Sequence, residues 1–183
     1  MNRDEALKAI HSRVQNQNLI KHMLATEAIM RSLARRFGED EQVWALAGLV
    51  HDIDVELCGG DMSLHSRSGA ELLQQMGVET EVVQAVLVHN EAHGIPCRSL
   101  LDKALFCADP LTGLITAGAL VRPDKKLSGV EAKSIRKRFK EKSFAAGASR
   151  DQIASCSAIG LELDEFISLG LEAMQAASDE LGL

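Results

Sequence analysis

Apolar residues recur at helical spacing along most of the chain. Ala6, Leu7, Ile10 and Val14 form a short stripe over residues 4–14, closed by the polar run Asn16-Gln17-Asn18. The stripe resumes over 18–37 at Leu19, Met23, Ala28, Ile29, Leu33 and Phe37, with His22 inside it. Arg35-Arg36 and Gly38 suit the end of that helix. Glu39-Asp40-Glu41 opens a third helix, built on Val43, Trp44, Leu46, Ala47, Leu49 and Val50, that runs into His51-Asp52. Residues 53–62 read as a loop broken by Gly59-Gly60, and a helix is expected from Ser63 to Met76. Glu79 to His93 is expected to be another helix, stopped by Gly94-Ile95-Pro96.

The stretch from Ser99 to Leu120 is almost wholly apolar and predicts two buried helical pieces broken or kinked near Pro110. Arg122-Pro123-Asp124 is a turn. Helices are then expected over 128–142, 149–157 and 163–181, the last amphipathic through Phe166, Ile167, Leu169, Leu171 and Met174. Strand signals are nearly absent, so the class is all-α. No Tyr, one Trp and five Phe leave the core to aliphatic residues, which favours helix-on-helix packing. A metal-site helical core over 1–121 is expected, with basic and amphipathic helices of 122–183 packed on it.

Charge and cysteine usage narrow the class. A net charge of −6 makes nucleic acid an unlikely partner, although it leaves room for a local basic patch. Cys58, Cys97, Cys107 and Cys156 have no C-x-x-C spacing and read as reduced thiols of a cytoplasmic protein. No signal core precedes the first helix, and the apolar run Pro110 to Val121 is too short to span a bilayer, so no membrane partner is expected.

The chemistry concentrates in a few polar residues set in apolar surroundings. His51-Asp52 ends an apolar helix, where a carboxylate and an imidazole need partners. His22, His65 and His89 lie on other predicted helices, and Asp109 interrupts an apolar run. Each has a bland alternative: core or helix-end histidine, helix-start residue, or the N-cap before Pro110. Together, imidazole nitrogen and carboxylate oxygen from several rigid helices are the donors a divalent ion takes. His89 ranks above His93, which sits before Gly94 at the helix end. Asp54 and Glu27 are candidates to orient a ligand histidine. Residues 122–142 hold nine basic against three acidic side chains. Of that basic region Arg122, Lys125, Lys126 and Lys142 are candidate phosphate contacts.

The ordered set His22, His51-Asp52 and Asp109 resembles the HD superfamily of metal-dependent phosphohydrolases, and more closely an uncharacterised bacterial and archaeal branch of it. The likeness covers about residues 18–120, with His65 and His89 standing where two-metal members carry further histidines. It implies an HD-domain helical bundle with a C-terminal helical extension. It also implies one ion on His22, His51, Asp52 and Asp109, and a second on Asp52, His65 and His89. One or two divalent ions (Mn, Fe, Ni, Co, Zn or Mg) would then serve hydrolysis of a nucleotide or other small phosphate ester, with His51 and Asp52 at the catalytic centre. The tandem His-His of some two-metal members is His89-Asn90 here, and Ile53-Asp54-Val55 departs from the cyclic-dinucleotide subgroup. A di-iron oxygenase of the same fold and a non-catalytic phosphate-ligand-binding domain are the alternatives.

Overall fold

The computed structural model describes all 183 residues and contains helices and no strand. In order these are α1 (Arg3–His11), α2 (Gln17–Phe37), α3 (Glu41–Val50), α4 (Arg67–Gln75), α5 (Thr80–Val88), α6 (Leu100–Leu120), α7 (Ala132–Phe139), α8 (Arg150–Ala154), α9 (Leu163–Ala176) and α10 (Ser178–Leu181). Short 3₁₀ turns follow α5 at Glu91–His93, precede α7 at Leu127–Gly129, and follow α8 at Ser155–Ile159. No helix is long and apolar enough to cross a membrane.

The helix starts follow from their capping residues. Asn2 with Glu5, and Ser99 with Asp102, form reciprocal capping boxes for α1 and α6. The Asn16 side chain accepts the N–H groups of Asn18 and Leu19, and that of Asp40 accepts those of Gln42 and Val43. Gly38 ends α2 with φ +72°, a left-handed conformation that glycine adopts at little cost.

One apolar core runs from Ala6 in α1 to Leu181 in α10. Helices α2 and α3 approach at Gly48, where a Cβ would sit 2.8 Å from the backbone C and O of Thr26. That backbone-to-backbone approach brings the helix bearing His22 against the helix ending in His51. Helix α6 crosses the centre and packs on α2, α3, α5, α7, α8 and α9.

Several boundaries differ from the sequence pattern. Helix α6 runs uninterrupted through Pro110, because packing buries most of its surface and outweighs the loss of one backbone hydrogen bond. Residues 51–66 form consecutive turns, so His65 precedes α4 instead of lying within a helix. Helix α5 stops at Val88; the Asn90 side chain then caps a 3₁₀ turn by accepting Ala92 N–H. The basic helix shortens to Ala132–Phe139, and the last predicted helix divides at Ala177 into α9 and α10.

Candidate metal centre

Six side chains from α2, the end of α3, the following turns, the end of α5 and the middle of α6 converge. Asp52 is their hub. Its Oδ1 lies 3.4 Å from His51 Nε2, 3.4 Å from His65 Nε2 and 3.5 Å from His89 Nε2. Its Oδ2 lies 3.4 Å from His22 Nε2. Asp109 Oδ1 lies 3.1 Å from His22 Nε2 and 3.8 Å from His51 Nε2. Two overlapping groups have donor atoms close enough to share an ion: His22, His51 and Asp109, and His51, Asp52 and His89. All six sequence candidates therefore meet in one place.

The outer face of each ring defines its tautomer. His51 Nδ1–H donates to Gly48 O at 2.8 Å, one turn back in α3, and His89 Nδ1–H donates to Val86 O at 2.6 Å in α5. His65 Nδ1–H donates to Asp54 Oδ1 at 2.9 Å. The Thr112 hydroxyl donates to Asp109 O at 2.7 Å, which leaves its oxygen free to accept His22 Nδ1–H at 2.8 Å. With every Nδ1 protonated and tied outward, the Nε2 atoms of His51, His65 and His89 turn lone pairs inward. His22 Nε2 and His51 Nε2 face each other at 3.1 Å with two carboxylates alongside. Three nitrogen lone pairs and two carboxylates thus point at one another, with a proton on His22 Nε2, facing Asp109 and Asp52, as the one donor among them. A cation resolves that arrangement, and the N/O donor set is the kind divalent transition metals take.

The same crowding governs protonation. Burial opposes charge on His22, but hydrogen bonds to Asp109 and Asp52 outweigh it and push the imidazolium pKa up to about 10. Burial likewise opposes charge on Asp52 and Asp109, yet the surrounding imidazoles hold both well below the usual carboxylate range. Asp54, fully enclosed, is also held low against its burial by His65 and by Gly69 N–H at 2.7 Å.

Exposure is graded across the centre. His51 is 0% exposed and His89 2%, whereas the side chains of His22 and Asp109 are 24% and 25% exposed. The open side is therefore the α2–α6 side, where a cavity of about 660 Å³ begins at His22 and Thr112.

Other candidates take different places. Asp54 orients His65, as proposed from the sequence, but Glu27 faces away and binds Arg3 and Arg31 at 2.7 and 2.9 Å. His93 Nε2 meets the His65 carbonyl at 2.7 Å instead of the hub. Asn90 Nδ2 donates to the carbonyls of Met62 and His65, so the residue after His89 shapes the His65 turn. Lys125 lines the cavity, Arg122 is ion-paired with Asp124 at 3.0 Å, and Lys126 and Lys142 are exposed outside the cavity wall. Thr112 and Gly69 are the supports the sequence pattern did not single out. Thr112 lies at the third residue after Asp109, one helical turn along, which is the only signal it carried.

An all-helical bundle whose buried histidines and aspartates meet around one carboxylate defines a metal-dependent hydrolase. Residues 19–114 match the model of the HD domain, and the chain belongs to the HD family of metal-dependent phosphohydrolases. It is similar to ribonuclease Y of Sulfurovum sp. (strain NBC37-1), with 26% identity over 90% of this chain and 33% of that protein. It is also similar to ribonuclease Y of Desulfotalea psychrophila (29% identity, 74% of this chain and 26% of the relative). Ribonuclease Y of Oleidesulfovibrio alaskensis is 29% identical over 54% of this chain and 18% of the relative. The chain thus spans a third or less of the length of these relatives. Their shared name corrects the expectation that nucleic acid is an unlikely partner. That expectation rested on the net charge of −6, a sum over the whole surface, whereas contact with a strand depends on local charge beside the site.

Proposed function

We propose that the protein is a metal-dependent phosphodiesterase whose substrate is RNA. The observation that carries the hydrolase chemistry is the inward convergence of four Nε2 atoms and two carboxylates, each ring held from outside through Nδ1. The likeness to ribonuclease Y supports the choice of RNA over a free nucleotide or another small phosphate ester.

In this reading His22, His51, Asp52 and Asp109 hold one ion, and Asp52, His65 and His89 hold a second. Bound metal supplies an acidic water and neutralises charge on the phosphoryl oxygens. The protein's own part is positional. Thr112, Gly48 O, Asp54 and Val86 O fix the four rings, so the donor atoms are in place before an ion arrives. Asp52 presents both oxygens to the centre and ties the two halves together. His51 and His89 close the inner side to solvent, and a phosphodiester enters past His22 and Asp109. Four free cysteines, three of them buried, fit a reducing compartment, and we place the protein in the cytoplasm.

The test is metal analysis of protein purified without chelator, followed by cleavage assays on single-stranded RNA and on nucleoside monophosphates. Metal-loaded protein should cleave RNA, and Asp52→Ala should lose both metal and cleavage. An Asp52→Ala protein that keeps full activity, or a wild type that hydrolyses only monophosphates, refutes the assignment.

A further inference from the structure

The basic region after α6 separates into two kinds of residue. Its arginines are engaged within the protein: Arg122 with Asp124, Arg136 with Asp164 at 2.5 Å, and Arg138 with Glu141 at 2.7 Å. Arg122 also lies so close over Gly129 that a Cβ there would meet its guanidinium at 2.0 Å. Lys125 forms no ion pair and lines the cavity that begins at His22. Lys21, the residue before His22, lines the same cavity, also without an ion pair, with its Nζ beside Gly182. No Asp or Glu side chain lines this cavity, although the chain as a whole carries a charge of −6. Two ammonium groups with no carboxylate side chain as partner therefore line the cavity that begins at His22, together with the C-terminal residues Leu181 to Leu183.

The backbone is bent to keep one of them there. Lys125 has φ +52°, a left-handed conformation that costs free energy for any residue with a Cβ. The turn that enforces it is closed by Lys125 N–H to Arg122 O at 3.2 Å, and the Arg122–Asp124 pair braces it. The facing wall, Ala145 to Ala148, is braced as well. Arg150 donates to the carbonyls of Phe139, Glu141, Phe144, Ala145 and Ala148, so its whole guanidinium is spent on that loop. With Leu120, half exposed, these alanines add apolar surface of the kind a base can lie on.

We propose that this cavity is a subsite for the phosphate and base next to the scissile bond of a nucleic-acid strand, with Lys21 and Lys125 as the phosphate contacts. The inference rests on the hydrolase reading for what lies beside the subsite, and its own content is the preference for a strand over an isolated ester. The volume of about 660 Å³ lies within the range of nucleotide-sized ligand sites.

The experiment measures cleavage and fluorescence-anisotropy binding of a single-stranded RNA oligomer by the full metal-loaded chain at several salt concentrations. The variants are Lys21→Gln, Lys125→Gln and the double replacement. Each single change should raise KM and Kd roughly tenfold with kcat retained, and should lower the slope of log Kd against log salt by about 0.7. Selectivity for RNA over bis(p-nitrophenyl) phosphate should fall in parallel. Lys125→Gly separates charge from fold: it should weaken RNA binding like Lys125→Gln while raising Tm, because the left-handed strain is relieved. RNA cleavage by all variants with wild-type KM and salt slope overturns the subsite and leaves the hydrolase intact. A wild type that binds RNA without cutting it, and loses that binding in the double variant, upholds the subsite and refutes the RNA hydrolase. A wild type that neither binds nor cuts RNA overturns both.

Discussion

Replacing Asp54 with Asn separates the orienting groups from the donors themselves. Asp54 Oδ1 accepts His65 Nδ1–H at 2.9 Å and Oδ2 accepts Gly69 N–H at 2.7 Å, both with the carboxylate fully buried. An amide has one acceptor oxygen and an NH₂ group, so it can serve only one of those donors. If Gly69 keeps the oxygen, the NH₂ faces His65 Nδ1 and drives the ring proton to Nε2. His65 then turns an N–H toward Asp52 Oδ1, 3.4 Å away, where it had offered a lone pair. One donor of the half-site proposed on Asp52, His65 and His89 is then lost without touching any other atom of the centre. Loss of such an orienting partner costs about 10- to 100-fold in metal affinity, or about 1.4 to 2.7 kcal/mol. Isothermal titration with Mn²⁺, paired with elemental analysis, should show one ion weakened by that factor and the other retained. RNA cleavage should fall at low metal and recover with excess. Gly69→Ala should act in the same direction, because its Cβ would press on the Asp54 carboxylate at 3.1 Å. An Asp54→Asn protein with unchanged stoichiometry, affinity and metal dependence would refute the tautomer argument.

Three further outcomes follow from the same geometry. Thr112→Val removes the acceptor of His22 Nδ1–H and should weaken the ion on the His22 side by about tenfold or more, while Thr112→Ser retains it; competition titrations check both. Apo protein carries a proton on His22 up to about pH 10, and an ion must displace it. Metal uptake should therefore release about one proton near neutrality and tighten by about tenfold per pH unit until that pKa is passed. Calorimetry in buffers of different ionisation enthalpy reads the proton directly, and affinity independent of pH would count against the assignment. Gly48→Ala places a methyl 2.8 Å from the backbone of Thr26, should cost about 1–3 kcal/mol by parting α2 from α3, and should weaken metal binding as His22 moves off His51. Thermal melts with and without metal measure both effects.

The converging residues were legible because their chemistry is local: a histidine or aspartate in an apolar run announces itself, and six such positions fell on five separate segments. Helix class and most starts were legible through stripes and caps such as Asn16, Asp40 and Ser99. What could not be read is what tertiary packing decides. Pro110 signals a break, and only the crowding around α6 overrides it. His65 seemed to open a helix, yet Asp54 and Asn90 hold its turn from a distance in the chain. Glu27 was a candidate to orient a ligand histidine, but Arg3 and Arg31 bind it instead. The carbonyls of Gly48 and Val86 carry no side-chain signature at all. Net charge misled about nucleic acid because it sums over the whole surface and says nothing of the charge at any one place on it.

Gly170 of α9 bears on how this chain can drift through evolution. A Cβ there would lie 2.6 Å from Leu111 and 3.4 Å from both Ile115 and Ile29. Those three residues belong to the helices that deliver Asp109 and His22, although Gly170 falls well outside the segment that carries the family signature. The tail therefore packs directly on the two helices that carry His22 and Asp109. A larger residue at 170 demands smaller ones at 29, 111 or 115, and related sequences should show these positions exchanging volume together. Graft experiments that move residues 19–114 alone into another scaffold should inherit the donors and forfeit their alignment.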